Sequence, residues 1–175
     1  NAVGNSIMTM SQMPGAAISL AMVTVIGQCI GAREYKQAKH YMLALTGTAY
    51  MMNLALNLSI ILLMRPIIGM FQVSAQTAAL AWQLGLVCCI GNFTFWPASF
   101  ALPNGLRAAN DVKFTMIISI VSMWVFRVGF SYVLGLMFEL GVLGVWCAML
   151  VDWLFRAVVF FVRLMSGKWQ NRQFI

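Results

Sequence analysis

Apolar residues run through this chain in five long blocks, approximately 2–32, 37–64, 75–102, 114–137 and 141–164, separated by short polar connectors. Each block exceeds the roughly 20 residues an α-helix needs to cross a hydrocarbon core about 30 Å thick. The connectors hold the breaks: Arg33-Glu34-Tyr35-Lys36, then Arg65-Pro66 and the residues after it, then Pro103-Asn104-Gly105, then the very short Phe138-Glu139-Leu140. This pattern predicts an all-α integral membrane protein, with five transmembrane helices in a membrane lobe over residues 1–165 and a cytoplasmic tail at 166–175.

Composition agrees. The chain is 62% hydrophobic and 9% charged, against about 45–50% and about 25% in soluble domains. Its solvent is therefore a lipid bilayer. The net charge of +7 does not indicate nucleic acid, because the basic residues sit between apolar runs and form no patch interleaved with aromatics. Cys29, Cys88, Cys89 and Cys147 lie inside apolar stretches without metal-ligand spacing and read as small membrane hydrophobes. With a single histidine, His40, no Ser/His/Asp set, no metal cluster and no phosphate-binding glycine loop, the sequence predicts no enzyme and no cofactor. If the protein is a pump, an ion gradient is the expected energy source.

The connectors alternate in charge. Arg33, Lys36, Lys39, Arg107, Lys113, Arg163, Lys168 and Arg172 fall on one side of the five spans, and only Arg65, with the acid Glu139, falls on the other. An excess of Lys and Arg marks cytoplasmic loops, so the C-terminus is expected in the cytoplasm and the first residue outside. Asn1 leads directly into an apolar run without a signal sequence. The chain therefore reads as cut from something longer, with at least one earlier span expected.

Two further basic residues lie inside spans. Arg127 stands ten residues before Met137, about 15 Å into the membrane at 1.5 Å per residue. Asp152 reaches nearly the same depth, eleven residues after Gly141, and Arg156 follows it by four residues on the same helix face. Each such charge costs about 2.5–3.5 kcal/mol at a helix centre on insertion scales. The expectation is an intramembrane cluster of Arg127, Asp152 and Arg156. Two readings stay open: an ion-pair cluster that sets helix register, or a site where Asp152 titrates or helps bind a cation.

The second span carries Thr46, Tyr50, Asn53 and Asn57 at i, i+4, i+7 and i+11, one polar stripe on one helix face. In lipid such a stripe faces other helices or a wet path. The third span carries Trp82, Cys89, Asn92, Phe93 and Trp96 along roughly one face and ends at Pro97. Gln83, Asn92, Phe93 and Trp96 are the candidates for a substrate cavity. Pro97 and, in the first span, Pro14 are expected to bend their helices by freeing the carbonyls of Phe93 and Met10. Gly27 and Gly31 form a GxxxG that predicts close approach of another helix. Fourteen methionines supply pliable apolar surface.

Two stretches carry a family resemblance. Gly27-Gln28-Cys29-Ile30-Gly31-Ala32, with Ala38 following, resembles the GQ-x-x-GA…A element of the multidrug and toxic compound extrusion (MATE) family. Leu106-Arg107-Ala108-Ala109-Asn110-Asp111, continuing through Trp124, Arg127 and Tyr132 to Gly141-Val142-Leu143-Gly144-Val145-Trp146 and Asp152-Trp153…Arg156, is similar to that family's LRGxGD element, W-x-x-R helix, GxxGVW turn and last helix.

The resemblance implies a twelve-helix antiporter of two six-helix lobes. Such a protein exports cationic or amphipathic drugs across the plasma membrane in exchange for Na+ or H+ by alternating access. The five spans would match helices eight to twelve, so the partners implied are the preceding helix, the N-terminal lobe and small organic cations. Asn110 and Arg33 stand where small residues, often Gly, are usual in the family, a departure expected to matter little. The span 75–102 has no acid, although some family members carry a cation-binding carboxylate there. A coupling carboxylate is then expected in the missing part, or else is Asp152. Two alternatives remain: a lipid-linked precursor flippase of similar architecture, or a fragment with no activity of its own.

Overall fold

The computed structural model describes residues 2–70, 74–133 and 141–170. They form helices α1 (Ala2–Gly31), α2 (Tyr35–Gly69), α3 (Ala75–Thr94), α4 (Leu102–Ala108), α5 (Val112–Ser122) and α6 (Gly141–Met165). Two wider π-helical stretches, Pro97–Ala101 and Met123–Phe130, join α3 to α4 and extend α5. Five of the resulting segments are long and apolar enough to cross a membrane, as the hydropathy pattern requires. The end of the fourth span at Met137, the connector Phe138-Glu139-Leu140 and residues 171–175, with Arg172, lie outside the described residues.

Two expected breaks are helical. Arg65-Pro66 lies inside α2, which runs on to Gly69. So close to the helix end the missing proline N–H costs one bond, while Ile68 beyond it stays buried in the core. Pro103-Asn104-Gly105 is likewise no connector, because the chain remains helical from Leu102 to Ala108. Pro97 opens the π-helical stretch, whose widened turn accommodates its ring. Pro103 falls in the first turn of α4, where a missing N–H costs least.

The chain turns instead at Ala109-Asn110-Asp111, in the same way as at Ala32-Arg33-Glu34. Arg33 and Asn110 have φ of 60° and 66°. The next N–H in each case reaches back five residues, Glu34 to the Cys29 carbonyl at 2.9 Å and Asp111 to the Leu106 carbonyl at 3.0 Å. Both are helix-ending motifs that favour Gly at the left-handed position. The family departures at Arg33 and Asn110 therefore fall on the two described non-Gly residues with positive φ. A turn at 109–111 also puts Arg107 at the bundle end.

Helix α1 packs along α2 and against α3 and α4, and α6 closes over both π-helical stretches. The larger core cluster joins Ile30, Ala38, Leu106, Ala109, Leu164 and Trp169, so the two turns and the end of α6 share one end of the bundle. A smaller cluster of Ile7, Ile60, Met64, Ile68, Ala81 and Cys89 fills the opposite end. Trp169 is 1% exposed and its Nε1 donates to the Leu164 carbonyl at 3.1 Å. The start of the expected tail is thus folded back onto the core. Among the described residues no helix comes close at the GxxxG, since a Cβ on Gly27 or Gly31 would meet nothing there within 4 Å. Close approach occurs at Gly15 and Gly105, where Trp96 and Met22 press on the helix axis.

Candidate functional site

The polar stripe of α2 meets α1 around Pro14. Pro14 has no N–H to give, and its ring crowds the turn before it. One residue on, the Gly15 N–H donates to Asn53 Oδ1 at 3.1 Å, and the Ser11 carbonyl, its partner in a regular helix, accepts from Asn57 Nδ2 at 3.1 Å. Asn57 Nδ2 also reaches the Asn53 carbonyl at 2.8 Å. From α3, Asn92 Nδ2 donates to Ser11 Oγ. Asn53, Asn57 and Asn92 are all fully buried. Thr46 is buried as well and bonds its own helix at the Met42 carbonyl, and Tyr50 is half-buried. Three asparagine side chains from two helices, Asn53 and Asn57 of α2 and Asn92 of α3, thus converge on Ser11 and Gly15 of α1. A Cβ at Gly15 would overlap the Trp96 ring and the Asn53 amide. Ser11 and Gly15 were not singled out by sequence, although Pro14 next to Gly15 was the available signal.

The four cavity candidates of the third span do not share one cavity. Gln83 lies with Arg65 and Trp82 beside a cavity of about 450 Å3 near the start of α3. Trp96 stands thirteen residues further on, about 20 Å at helical rise. It lines a second cavity of about 490 Å3 with Ser19, Phe100, Asn104, Arg107 and Arg156. Asn92 is taken up by Ser11, and Phe93 is half-buried and lines neither cavity. Pro97 sits buried where the widened turn brings Ser99 Oγ to the Trp153 carbonyl of α6. Trp96 and Phe100 stack with centroids 5.4 Å apart, and Trp153 meets Phe100 edge-on at 5.6 Å.

The intramembrane charges form a pair, with Arg127 outside it. Arg156 Nε donates to Asp152 Oδ1 at 3.1 Å and to Ser122 Oγ at 2.7 Å, and Arg156 Nη2 donates to the Ser119 carbonyl at 3.1 Å. Asp152 is fully buried, and its Oδ2 has no partner among the described residues. Arg127 is exposed and makes no ion pair among the described residues, contrary to the expected three-residue cluster. Phe126 takes the position facing α6, its ring 4.8 Å from that of Phe155. The next residue along a helix points about 100° away.

A second ion pair, missed by sequence, lies at the bundle end. Arg163 of α6 holds Asp111, the residue that precedes α5, by Nε to Oδ2 at 2.7 Å and Nη2 to Oδ1 at 3.2 Å. The Asp111 carboxylate is fully buried, and the Arg163 guanidinium lies 4.4 Å from the Phe114 ring centroid. Arg163 had been counted only as a connector charge; the motif ending in Asp111 was the signal available.

A model of the family described as MatE matches residues 1–133. This chain belongs to the MatE family. Among curated MatE-like relatives, a probable multidrug resistance protein NorM of Thermotoga maritima is 30% identical over 175 residues, 97% of this chain and 36% of the relative. The uncharacterized transporter YisQ of Bacillus subtilis is 26% identical over 160 residues, 89% of this chain and 34% of the relative. A probable multidrug resistance protein NorM of Bacillus subtilis is 27% identical over 156 residues, with the same two coverages of 89% and 34%. The chain thus spans about a third of the length of these relatives. No solved structure matches it significantly. The MatE match includes the Ser11–Asn57–Asn92 seam and Asp111, and the alignment to the Thermotoga relative extends over nearly all of the chain.

Proposed function

We propose that this chain is most of one six-helix lobe of a two-lobed, twelve-helix multidrug efflux transporter in the plasma membrane. Its first residue lies outside and its C-terminus in the cytoplasm. The whole protein exports cationic or amphipathic compounds by alternating access, in exchange for Na+ or H+. The preceding helix and the other lobe complete the transport path, so the isolated chain has no transport of its own.

The observation that carries this reading is a chain of the MatE family with five membrane-length helical segments and a π-helical interruption beginning at Pro97. Interrupted helices are where transporters bind and move. A coupling carboxylate comes from outside the described residues or is Asp152, whose Oδ2 lacks a partner among those residues. The test is dye export from vesicles holding the whole protein, under a sodium gradient and a proton gradient imposed separately. Export driven by one gradient and abolished by its collapse is expected. Dye movement indifferent to both gradients sinks the reading.

A further inference from the structure

The cavity of about 490 Å3 has the size of a site for a drug-sized molecule. Among the described residues its lining has two charged ones, Arg107 and Arg156, and no acid. Arg156 uses Nε and Nη2 on Ser122, Asp152 and the Ser119 carbonyl, and among the described residues no hydrogen bond engages its Nη1. Arg107 uses Nε on Thr115 Oγ1 at 3.3 Å and Nη1 on Asn104 Oδ1 at 3.2 Å, and among the described residues no hydrogen bond engages its Nη2. A guanidinium has five N–H donors and no acceptor, so each arginine keeps an uncommitted amino group on the same cavity. Asp152 offsets the charge of Arg156, whereas Arg107 has no ion-pair partner among the described residues.

The two arginines stand at different depths. Arg107 is in the last turn of α4 at the bundle end. Arg156 lies nine residues before the end of α6, about 13 Å further in. Between them the Trp96 and Phe100 rings form an apolar wall. A basic rim above a buried guanidinium draws an anion inward, and paired N–H groups suit the oxygens of phosphate, carboxylate or sulfonate. Among the described lining residues a cation placed here would meet the charge of Arg107, which no acid offsets, and no carboxylate.

We propose that this cavity binds an amphiphile with an anionic group, held between Arg107 and Arg156, and an aromatic or acyl body lying on Trp96 and Phe100. The inference goes beyond the efflux reading and concerns binding alone. Its failure would leave gradient-driven dye export untouched.

The experiment compares two probes of matched shape, naphthalene-2-sulfonate and naphthylmethyl-trimethylammonium. Each is titrated against the whole protein in phosphatidylcholine nanodiscs, with tryptophan fluorescence as readout. The sulfonate is expected to bind at least tenfold more tightly. Arg107→Gln is expected to weaken it tenfold or more, and Lys113→Gln, off the cavity, to leave it within twofold. Arg156→Gln strands Asp152, so the double variant Asp152→Asn/Arg156→Gln tests the inner arginine with the pair removed together, and a tenfold loss is again expected. Repeating the titration in phosphatidylglycerol nanodiscs separates the sources: a tenfold drop in sulfonate affinity assigns the site to a lipid headgroup, and no drop to a free amphiphile. Equal or tighter binding of the ammonium probe, or full sulfonate affinity in Arg107→Gln, overturns the proposal.

Discussion

Arg163 grips Asp111 with two hydrogen bonds, 2.7 Å and 3.2 Å long, and so fastens the last helix to the turn from which the fourth span starts. The carboxylate is fully buried while the guanidinium side chain keeps 13% of its surface. Removing the arginine takes an ion-pair partner from a buried carboxylate, and breaking such a pair costs up to about 3–5 kcal/mol. Arg163→Gln is therefore expected to lower the thermal unfolding temperature in detergent more than Asp111→Asn does. The double variant should cost less than the sum of the two. Additive losses would show that the pair does not act as a unit.

Asn53 and Asn57 bond the backbone of α1 on either side of Pro14, at Gly15 and Ser11, and this coupling is measurable. Each amide satisfies one half of itself here, since Asn53 Nδ2 and Asn57 Oδ1 have no partner among the described residues. The net contribution of each is then about 1 kcal/mol, typical of a hydrogen bond between membrane helices. Asn57→Leu should destabilise by about that much in the Pro14 background. With Pro14→Ala, α1 can close its own turn and the same change should cost clearly less. An unchanged cost in a double-mutant cycle would separate the asparagine from the proline.

Arg33 and Asn110 occupy left-handed positions, φ of 60° and 66°. A non-Gly residue there is strained by about 1–2 kcal/mol, partly offset by the entropy a glycine loses on folding. Arg33→Gly is expected to stabilise by up to about 1 kcal/mol, and Asn110→Gly by less, because Asn tolerates this region. Thermal unfolding of the two single variants checks the order. A lower stability of Arg33→Gly would contradict the turn geometry.

Asp152 pairs with Arg156 and not with Arg127, so the two arginines should behave differently in combination. Asp152→Asn with Arg127→Gln is expected to be additive within about 0.5 kcal/mol, and Asp152→Asn with Arg156→Gln is not. If the pair is purely structural, Asp152→Asn lowers expression while the ion dependence of dye export survives. Loss of that dependence at normal expression would instead identify Asp152 as the coupling site.

Membrane residence, helical class and the number of spans were decided by the sequence alone, because hydropathy is summed locally along the chain and lipid leaves a long apolar segment few choices but a helix. The separation of basic connectors from Arg65 was legible for the same reason, as was the i+4 contact of Asp152 with Arg156. Where the third span ends was not. Pro103 looks like a stop, yet a π-helical turn begun at Pro97 moves it into a helix's first turn, and only the packed bundle selects that turn. Which face meets which neighbour was equally closed to the sequence. Arg127 and Asp152 share a depth, but Phe126 takes the inward position and a single residue step carries Arg127 off the interface. Depth follows from counting residues. The partnerships of Asp111 with Arg163, of Asn57 with Ser11, and of Arg107 with Arg156 around one cavity depend on helix rotation and crossing, which tertiary packing alone sets.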